Sequence, residues 1–465
     1  MKRPTRAALA TATAAALTGG LLTLATAAPA SAAAAKYADD FNGDGYRDYA
    51  VFSYGGPAGD SKGGGVLVTF GTANGPGTKT QFIDQASPGV PGADETDDFF
   101  GEVRTAADFN NDGYGDLAVT ATGEDVDGRK DQGAVTVLWG SKDGLSGGLT
   151  IPNKGPRQSY ARMGSDLATG DFNGDGRPDL ALVNGAKTYV YRGSISKSGV
   201  HGTVSTLDKE SSSFYSTAVI AGKVDKDGKT DLVIIGDVVT GTYIASDAWF
   251  IKGGEVRLYP GKTLRLERVN GNGGEADRGG DGVINDFNKD GYGDIAIGTP
   301  LYDKWKGRVS VWYGSSSGPD KSARFTQSTS GIAGTPEAYD SFGDSISSGD
   351  INGDGYRDLA IGVPGEALGG RDGAGGVEIL YGRASGLSAT GSQWFARNTT
   401  GVPGDLQSGD SFGNAVRLRD TNRDGKADLY VQGAYGSLLL RGSSTGVTTS
   451  GATAVGAETV EGMLQ

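Results

Sequence analysis

Asp108-Phe109-Asn110-Asn111-Asp112-Gly113-Tyr114-Gly115-Asp116 is followed at once by the apolar run Leu117-Ala118-Val119. The nine-residue pattern Asp-x-Asn-x-Asp-Gly-x-x-Asp returns at Asp40–Asp48, Asp171–Asp179, Asp286–Asp294, Asp350–Asp358 and Asp420–Asp428. A degenerate copy runs from Lys223 to Asp231. Successive starts are 68, 63, 52, 63, 64 and 70 residues apart, a period that means a solenoid, a propeller or a domain array.

The flanking residues decide among these. Each loop leads into a short β-type run such as Leu180-Ala181-Leu182-Val183 or Leu232-Val233-Ile234-Ile235. A second run then ends at a glycine: Gly71, Gly140, Gly193, Gly253, Gly314, Gly382 or Gly442. With one short segment before each loop and a weaker one after the glycine, such as Trp394-Phe395, every repeat holds about four strands. No stretch keeps a helical apolar period beyond about two turns. The reading is all-β: a seven-bladed propeller of four-stranded antiparallel blades, about 62 residues each. The expected repeats are 33–98, 99–160, 161–212, 213–274, 275–338, 339–408 and 409–465. The first begins so late that its inner strand is expected from Ala34 to Ala38, with Val447 to Val460 a candidate for closing the ring.

Composition agrees. Gly and Pro make up about a fifth of the 465 residues, which means many turns but not low-complexity disorder. Cysteine is absent and His201 is the single histidine, so disulfides, thiolate or His-cluster metal sites and Cys nucleophiles are excluded. Residues 1–32 read as a secretory signal: Lys2, Arg3 and Arg6, an Ala/Leu stretch, then Ala30-Ser31-Ala32. Its removal takes the formal charge from −13 to −16, which disfavours nucleic acid as a partner. A secreted monomer with no membrane span in the mature chain is expected.

The unit resembles the FG-GAP repeat of integrin α-subunit propellers and related extracellular bacterial proteins. Phe100-Gly101, Phe342-Gly343 and Phe412-Gly413 supply the Phe-Gly, with Met163-Gly164 a variant. Gly298-Thr299-Pro300 and Gly362-Val363-Pro364 stand for Gly-Ala-Pro. The fourth repeat departs: it has no clear Phe-Gly and carries Lys223 at the first loop position. The resemblance implies a propeller that binds a protein or a carbohydrate.

Carboxylates and amides at positions one, three and five, with glycine at six, aim oxygens at one centre as an EF-hand does. The Asp at position nine is expected to close the shell, with the carbonyl of position seven between. The candidate calcium ligands are Asp40, Asn42, Asp44, Tyr46 and Asp48; Asp108, Asn110, Asp112, Tyr114 and Asp116; Asp171, Asn173, Asp175, Arg177 and Asp179. Beyond the fourth repeat they are Asp286, Asn288, Asp290, Tyr292 and Asp294; Asp350, Asn352, Asp354, Tyr356 and Asp358; Asp420, Asn422, Asp424, Lys426 and Asp428. The fourth repeat offers only Asp225, Asp227 and Asp231, and Lys223 is expected to take the metal's place there, leaving about six calcium ions. These loops hold 21 of the 56 acidic residues. The competing reading is that Asp, Asn and Gly only form Asx-turns.

Catalytic patterns fail. Gly409-Asp410-Ser411-Phe412-Gly413 matches the nucleophile elbow of esterases, yet it falls on the Phe-Gly of a repeat rather than on a strand-to-helix turn. Gly343-Asp344-Ser345 falls to the same argument. In a four-stranded meander, the loops joining strands two and three share the face opposite the Asp loops. On that face the candidates for ligand contact are Glu124, Asp125, Asp127, Arg129 and Lys130; Tyr302, Asp303, Lys304 and Trp305; Glu366, Arg371 and Asp372. Tyr302 and Trp305 are read as an aromatic pair that stacks on a sugar or anchors a protein. The function expected is a binding or adhesion module. A carboxylate-based polysaccharide enzyme and a structural surface protein are the alternatives.

Overall fold

In a computed structural model, residues 34–56, 59–207, 213–239, 243–254, 261–270 and 282–464 are described; residues 1–32, expected as a secretory signal, lie outside them. Seven antiparallel sheets repeat one plan. In the sixth, Ile346–Gly349, Asp358–Val363, Gly376–Tyr381 and Ser388–Phe395 pair in sequence order. The Asp loop joins the first strand to the second, so all seven loops share one face of the propeller. The loop also sets the register. The residue before position one pairs with position nine in six blades: Ala107 with Asp116, Gly170 with Asp179, Gly222 with Asp231, Asn285 with Asp294, Gly349 with Asp358 and Arg419 with Asp428.

The core is divided. One hydrophobic cluster fills each seam between neighbouring blades, which is why second strands such as Asp358–Val363 are buried on both faces. The residue at loop position two is a plug in six of the seams: Phe41, Phe109, Phe172, Val224, Phe287 and Ile351, none more than 4% exposed. The Phe of Phe-Gly belongs to the same seams. Phe342 and Phe412 are fully buried and bridge in parallel to Gly307 and Gly375 of the preceding blade. Their partner glycines, Gly343 and Gly413, adopt φ of 89° and 98°, a region open to glycine at little cost.

The closing glycine of the third strand answers a different need. A Cβ on Gly71, Gly140 or Gly382 would fall 2.1–2.2 Å from the carbonyl of loop position eight, Arg47, Gly115 or Arg357. The Asp loop packs directly on this strand end, and only glycine leaves room.

Ring closure departs from the inner strand expected at Ala34 to Ala38 and draws instead on the far end of the Val447–Val460 candidate. Ala34 to Ala38 form no strand, and the first blade has three strands among the described residues: Tyr49–Gly56, Gly59–Thr72 and Gly75–Asp84. Gly446–Val455 is the outer strand of blade seven. The chain then turns through the short helix Ala457–Glu461 into the place an inner strand of blade one would take. There the Ala50 amide donates to the Gly462 carbonyl at 2.9 Å, and Arg417 donates to the Met463 carbonyl. Val460 and Met463 are buried with Tyr49, Tyr430 and Leu439. The Ala/Lys stretch from Ala34 to Ala38 has too little apolar surface for this seam, whereas the C-terminal tail brings two buried anchors. The inner strands surround an axial cavity of about 790 Å³.

Because Met463 helps to seal the ring, Met463→Ala should destabilise the protein by about 2 kcal/mol or more, as a core truncation does. Thermal or denaturant unfolding checks this. A change within about 0.5 kcal/mol would mean that the tail is dispensable.

Candidate functional site

Two faces need separate accounts. On the first, each Asp loop folds its side chains inward onto its own amides. In repeat one, the Asp44 and Gly45 amides donate to the two oxygens of Asp40 at 3.1 and 2.8 Å, and the Tyr46 amide donates to Asp44 Oδ1 at 2.9 Å. Repeats two, three, five and seven repeat these three bonds. These are the Asx-turns of the simpler sequence reading.

Position nine has a role the sequence did not disclose. All seven of these aspartates are fully buried. In every repeat, one oxygen accepts the amide of the closing glycine, at 2.6–3.1 Å. In six, the other oxygen accepts the amide of position two. The carboxylate thus ties the first turn of the loop to the end of the third strand.

That placement is electrostatically costly. Burial, against two amide hydrogen bonds and with the other loop carboxylates adding to it, pushes Asp48, Asp116, Asp294 and Asp358 up to about 7. Asp179 and Asp231 rise to about 6 for the same reason. Among the described residues, no three His, Cys, Asp or Glu side chains are gathered closely enough to hold a metal ion as they stand. The donor chemistry nevertheless fits calcium in most loops. It is all oxygen, each carboxylate keeps lone pairs free, and the crowded negative charge calls for a cation.

Repeat four does not fit, and the cation there is not the expected one. Lys223 is exposed. Lys252, one residue before the closing glycine, instead brings Nζ to 2.6 Å from Asp225 Oδ2 and 3.7 Å from Asp227 Oδ2.

On the opposite face, Asp125 accepts the Asp131 amide and Asp127 pairs with Arg129 at 3.5 Å. Three sequence candidates are withdrawn from ligand contact. Glu366 is buried and accepts from Gln327, as Glu124 accepts from Gln85 at 2.6 Å, so both hold one blade to the next. Tyr302 lies beneath the Arg308 guanidinium, 3.9 Å from its ring centre. The pair the structure makes is Trp305 with Tyr339, ring centres 6.2 Å apart and tilted by 43°. Sequence reasoning missed Tyr339 because it comes from the following repeat. Arg371 and Asp372 are exposed, as expected of rim residues.

The backbone under Trp305 is unusual. Asp303, Lys304 and Trp305 all have positive φ, 48°, 65° and 65°, and Tyr339 follows at 78°. Three successive non-glycine residues in the left-handed region cost energy that the surrounding hydrogen bonds must offset. Two bonds to the next repeat, Ser341 amide to Trp305 carbonyl at 2.7 Å and Tyr339 amide to Lys304 carbonyl at 3.3 Å, hold the turn. Ser411 and Ser345, from the two esterase-like patterns, meet no histidine. Ser345 Oγ accepts the Val416 amide, and His201 sits exposed beside Ser198 at 2.9 Å.

The FG-GAP repeat model matches residues 89–138, 281–312 and 342–380, and an FG-GAP-like model matches 171–234. The fold is a seven-bladed propeller, and the matched segments within it are FG-GAP and FG-GAP-like repeats. The chain is similar to mouse integrin alpha-IIb, 31% identical over 43% of this chain and 19% of that protein. It is also similar to mouse phosphatidylinositol-glycan-specific phospholipase D, 36% identical over 29% of this chain and 18% of that one. The chain thus matches less than a fifth of each of these relatives. An exotype rhamnogalacturonan lyase, YesX, aligns over 90% of this chain and 72% of its own at 13% identity and a TM-score of 0.42. Among the described residues, no helix is long and apolar enough to cross a membrane.

The raised position-nine carboxylates give a pH test. Without metal, the folded state holds protons on them between about pH 4 and 7 that the unfolded chain has released, so stability falls as pH rises through that window. A calcium ion held by these loops would bind the ionised form, so its stabilisation should be greater near pH 7.5 than near pH 5. Melting curves in EDTA and in millimolar calcium at both values check this. Equal calcium-induced shifts at the two values would contradict it.

Proposed function

We propose that this chain is a secreted recognition module, stabilised by calcium in its Asp loops, that binds an extracellular protein or carbohydrate through the opposite face. One observation carries the reading. The large hydrophobic residues exposed among the described ones are Tyr54, Tyr160, Tyr215, Val239, Trp305, Tyr339 and Tyr435, and every one of them belongs to the face opposite the Asp loops. They sit on second-to-third strand loops, on blade crossings or at the start of an inner strand. An even scatter of apolar side chains needs no explanation, but a one-sided set of aromatics does.

The division of labour is physically reasonable. On the loop face, Asp, Asn and the carbonyls of Tyr46, Tyr114, Arg177, Tyr292, Tyr356 and Lys426 would complete calcium sites that stabilise the folded turns. On the other face, Trp305 and Tyr339 are amphipathic rings held by a strained turn beside Asp303 and Lys304. Aromatic rings with neighbouring polar groups suit the CH faces and hydroxyls of a sugar as well as a protein hot spot.

Retention of the secreted protein on immobilised glycans and matrix proteins, with any released product measured alongside, tests the reading. Trp305→Ala and Tyr339→Ala should each weaken retention about tenfold or more while the melting temperature holds. Unchanged retention in both variants would move the site elsewhere. Product release lost on changing one carboxylate would replace the module with an enzyme.

A further inference from the structure

Four crossings between blades end on Phe-Gly or Met-Gly, and one of them reverses the charge of the others. Residues 85–101 carry four carboxylates and no cation, 327–343 two and none, and 397–413 two against one. Residues 153–164 carry Lys154, Arg157 and Arg162 and no carboxylate.

The structure sets this crossing on the face opposite the Asp loops. The Tyr160 amide donates to the Lys130 carbonyl at 2.7 Å, and the Arg162 and Met163 amides donate to the Asp131 and Gln132 carbonyls at 3.1 and 2.8 Å. Tyr339, Ser341 and Phe342 make the same three bonds to Lys304, Trp305 and Lys306, so Tyr160 is the counterpart of Tyr339. Its side is open: Tyr160 is 63% exposed, and Lys130, Lys154, Arg157 and Arg162 are exposed with it. None of these four cations forms an ion pair among the described residues. The acids of the facing loop are engaged with other groups, Glu124 with Gln85, Asp125 with the Asp131 amide and Asp127 with Arg129, and Asp131 is only partly exposed.

The third blade makes room beside this patch. Gly185 and Ala186 alone join Asp179–Asn184 to Lys187–Arg192, whereas residues 122–133 separate the corresponding strands of blade two. In blade four the second strand, Asp231–Val239, has 9 residues against 6 in blade three, which carries it about 10 Å further. The low turn meets both neighbours: the Gly185 amide donates to the Ala161 carbonyl at 2.7 Å, and the Ser216 amide donates to the Ala186 carbonyl at 3.0 Å. Exposed Tyr160 and Tyr215 adjoin those two contacts, one on each side of a saddle.

We propose that this saddle binds an acidic polysaccharide, its sugar rings against Tyr160 and Tyr215 and its carboxylate or sulfate groups on Lys130, Lys154, Arg157 and Arg162. Guanidinium groups match such oxyanions in a bidentate fork, and an amphipathic ring suits a sugar face. Exposed cations strung along a crossing fit a chain with repeated charges, whereas a protein hot spot seats its anchors in a desolvated pocket. The acidic Asp loops lie about 20 Å of strand away, beyond the reach of an unscreened field at ordinary salt. The inference rests on the reading of this face as the recognition face and names a ligand class and a second position on it.

Retention on immobilised heparin, which carries sulfates and carboxylates, on hyaluronan, which carries carboxylates alone, and on uncharged dextran tests it, with poly-glutamate as the acidic polypeptide. The protein should be held by heparin and hyaluronan, or by heparin alone where the anion is a sulfate, and should pass through dextran. Arg157→Gln with Arg162→Gln should weaken retention about tenfold or more at an unchanged melting temperature, and Tyr160→Ala should weaken it too. Lys142→Gln with Lys197→Gln removes the same charge from exposed sites on the Asp-loop face and should leave retention as it was. Retention on neither polyanion, equal retention on dextran, retention that survives the double arginine variant, or tighter retention on poly-glutamate than on either glycan would overturn the proposal. If polyanions pass through while a neutral glycan or a matrix protein is held through Trp305, this inference fails and the recognition face stands. If nothing is held, the reading of the face fails with it.

Discussion

A buried carboxylate at the ninth position of each loop is the constraint on which the blades depend. In six of the seven, with one oxygen on the closing glycine and the other on the amide of position two, it joins three points of the chain that no single strand pairing brings together. The register of the first two strands, the close approach that excludes a Cβ at the glycine, and the insertion of the position-two plug all follow from that link. The contact survives in repeat four, where the first loop position has become lysine. This shows that the clamp and the rest of the acidic pattern serve separable ends.

The same repetition explains how a chain so rich in glycine holds a stable core. No blade has an interior of its own. Each apolar face is buried against the next blade, and the loop plugs and the Phe-Gly rings tighten the seams from opposite ends. A ring built this way is as secure as its last seam. Here that seam has Thr421, bonded to Tyr430, in place of a loop plug, and it depends on the C-terminal helix and Met463.

The two faces of the propeller have different chemistry for a topological reason. Loops between strands one and two are tied into the seams and cannot vary freely. Loops between strands two and three and the blade crossings lack the position-nine clamp, and between them they carry the strained turn at Trp305 and the exposed aromatic residues. Rigid scaffold on one side and variable loops on the other is the usual arrangement for recognition.

Much of this was legible in the sequence because a propeller is a repeated local code. Blade number, the strand that follows each loop and the face on which each loop lies all come from spacing and from alternation of apolar and turn residues. Tertiary structure decided what depends on residues distant in the chain. Tyr339 joins Trp305 from another repeat, Arg308 covers Tyr302, Gln327 claims Glu366, and the C-terminal tail, not Ala34 to Ala38, completes blade one. Lys252 lies beyond the nine-residue window in which a loop is read, so Lys223 looked like the counter-ion until the third strand folded back. Local patterns set local turns, but partners across a seam are chosen by packing and charge, which act through space and leave no fixed spacing along the chain.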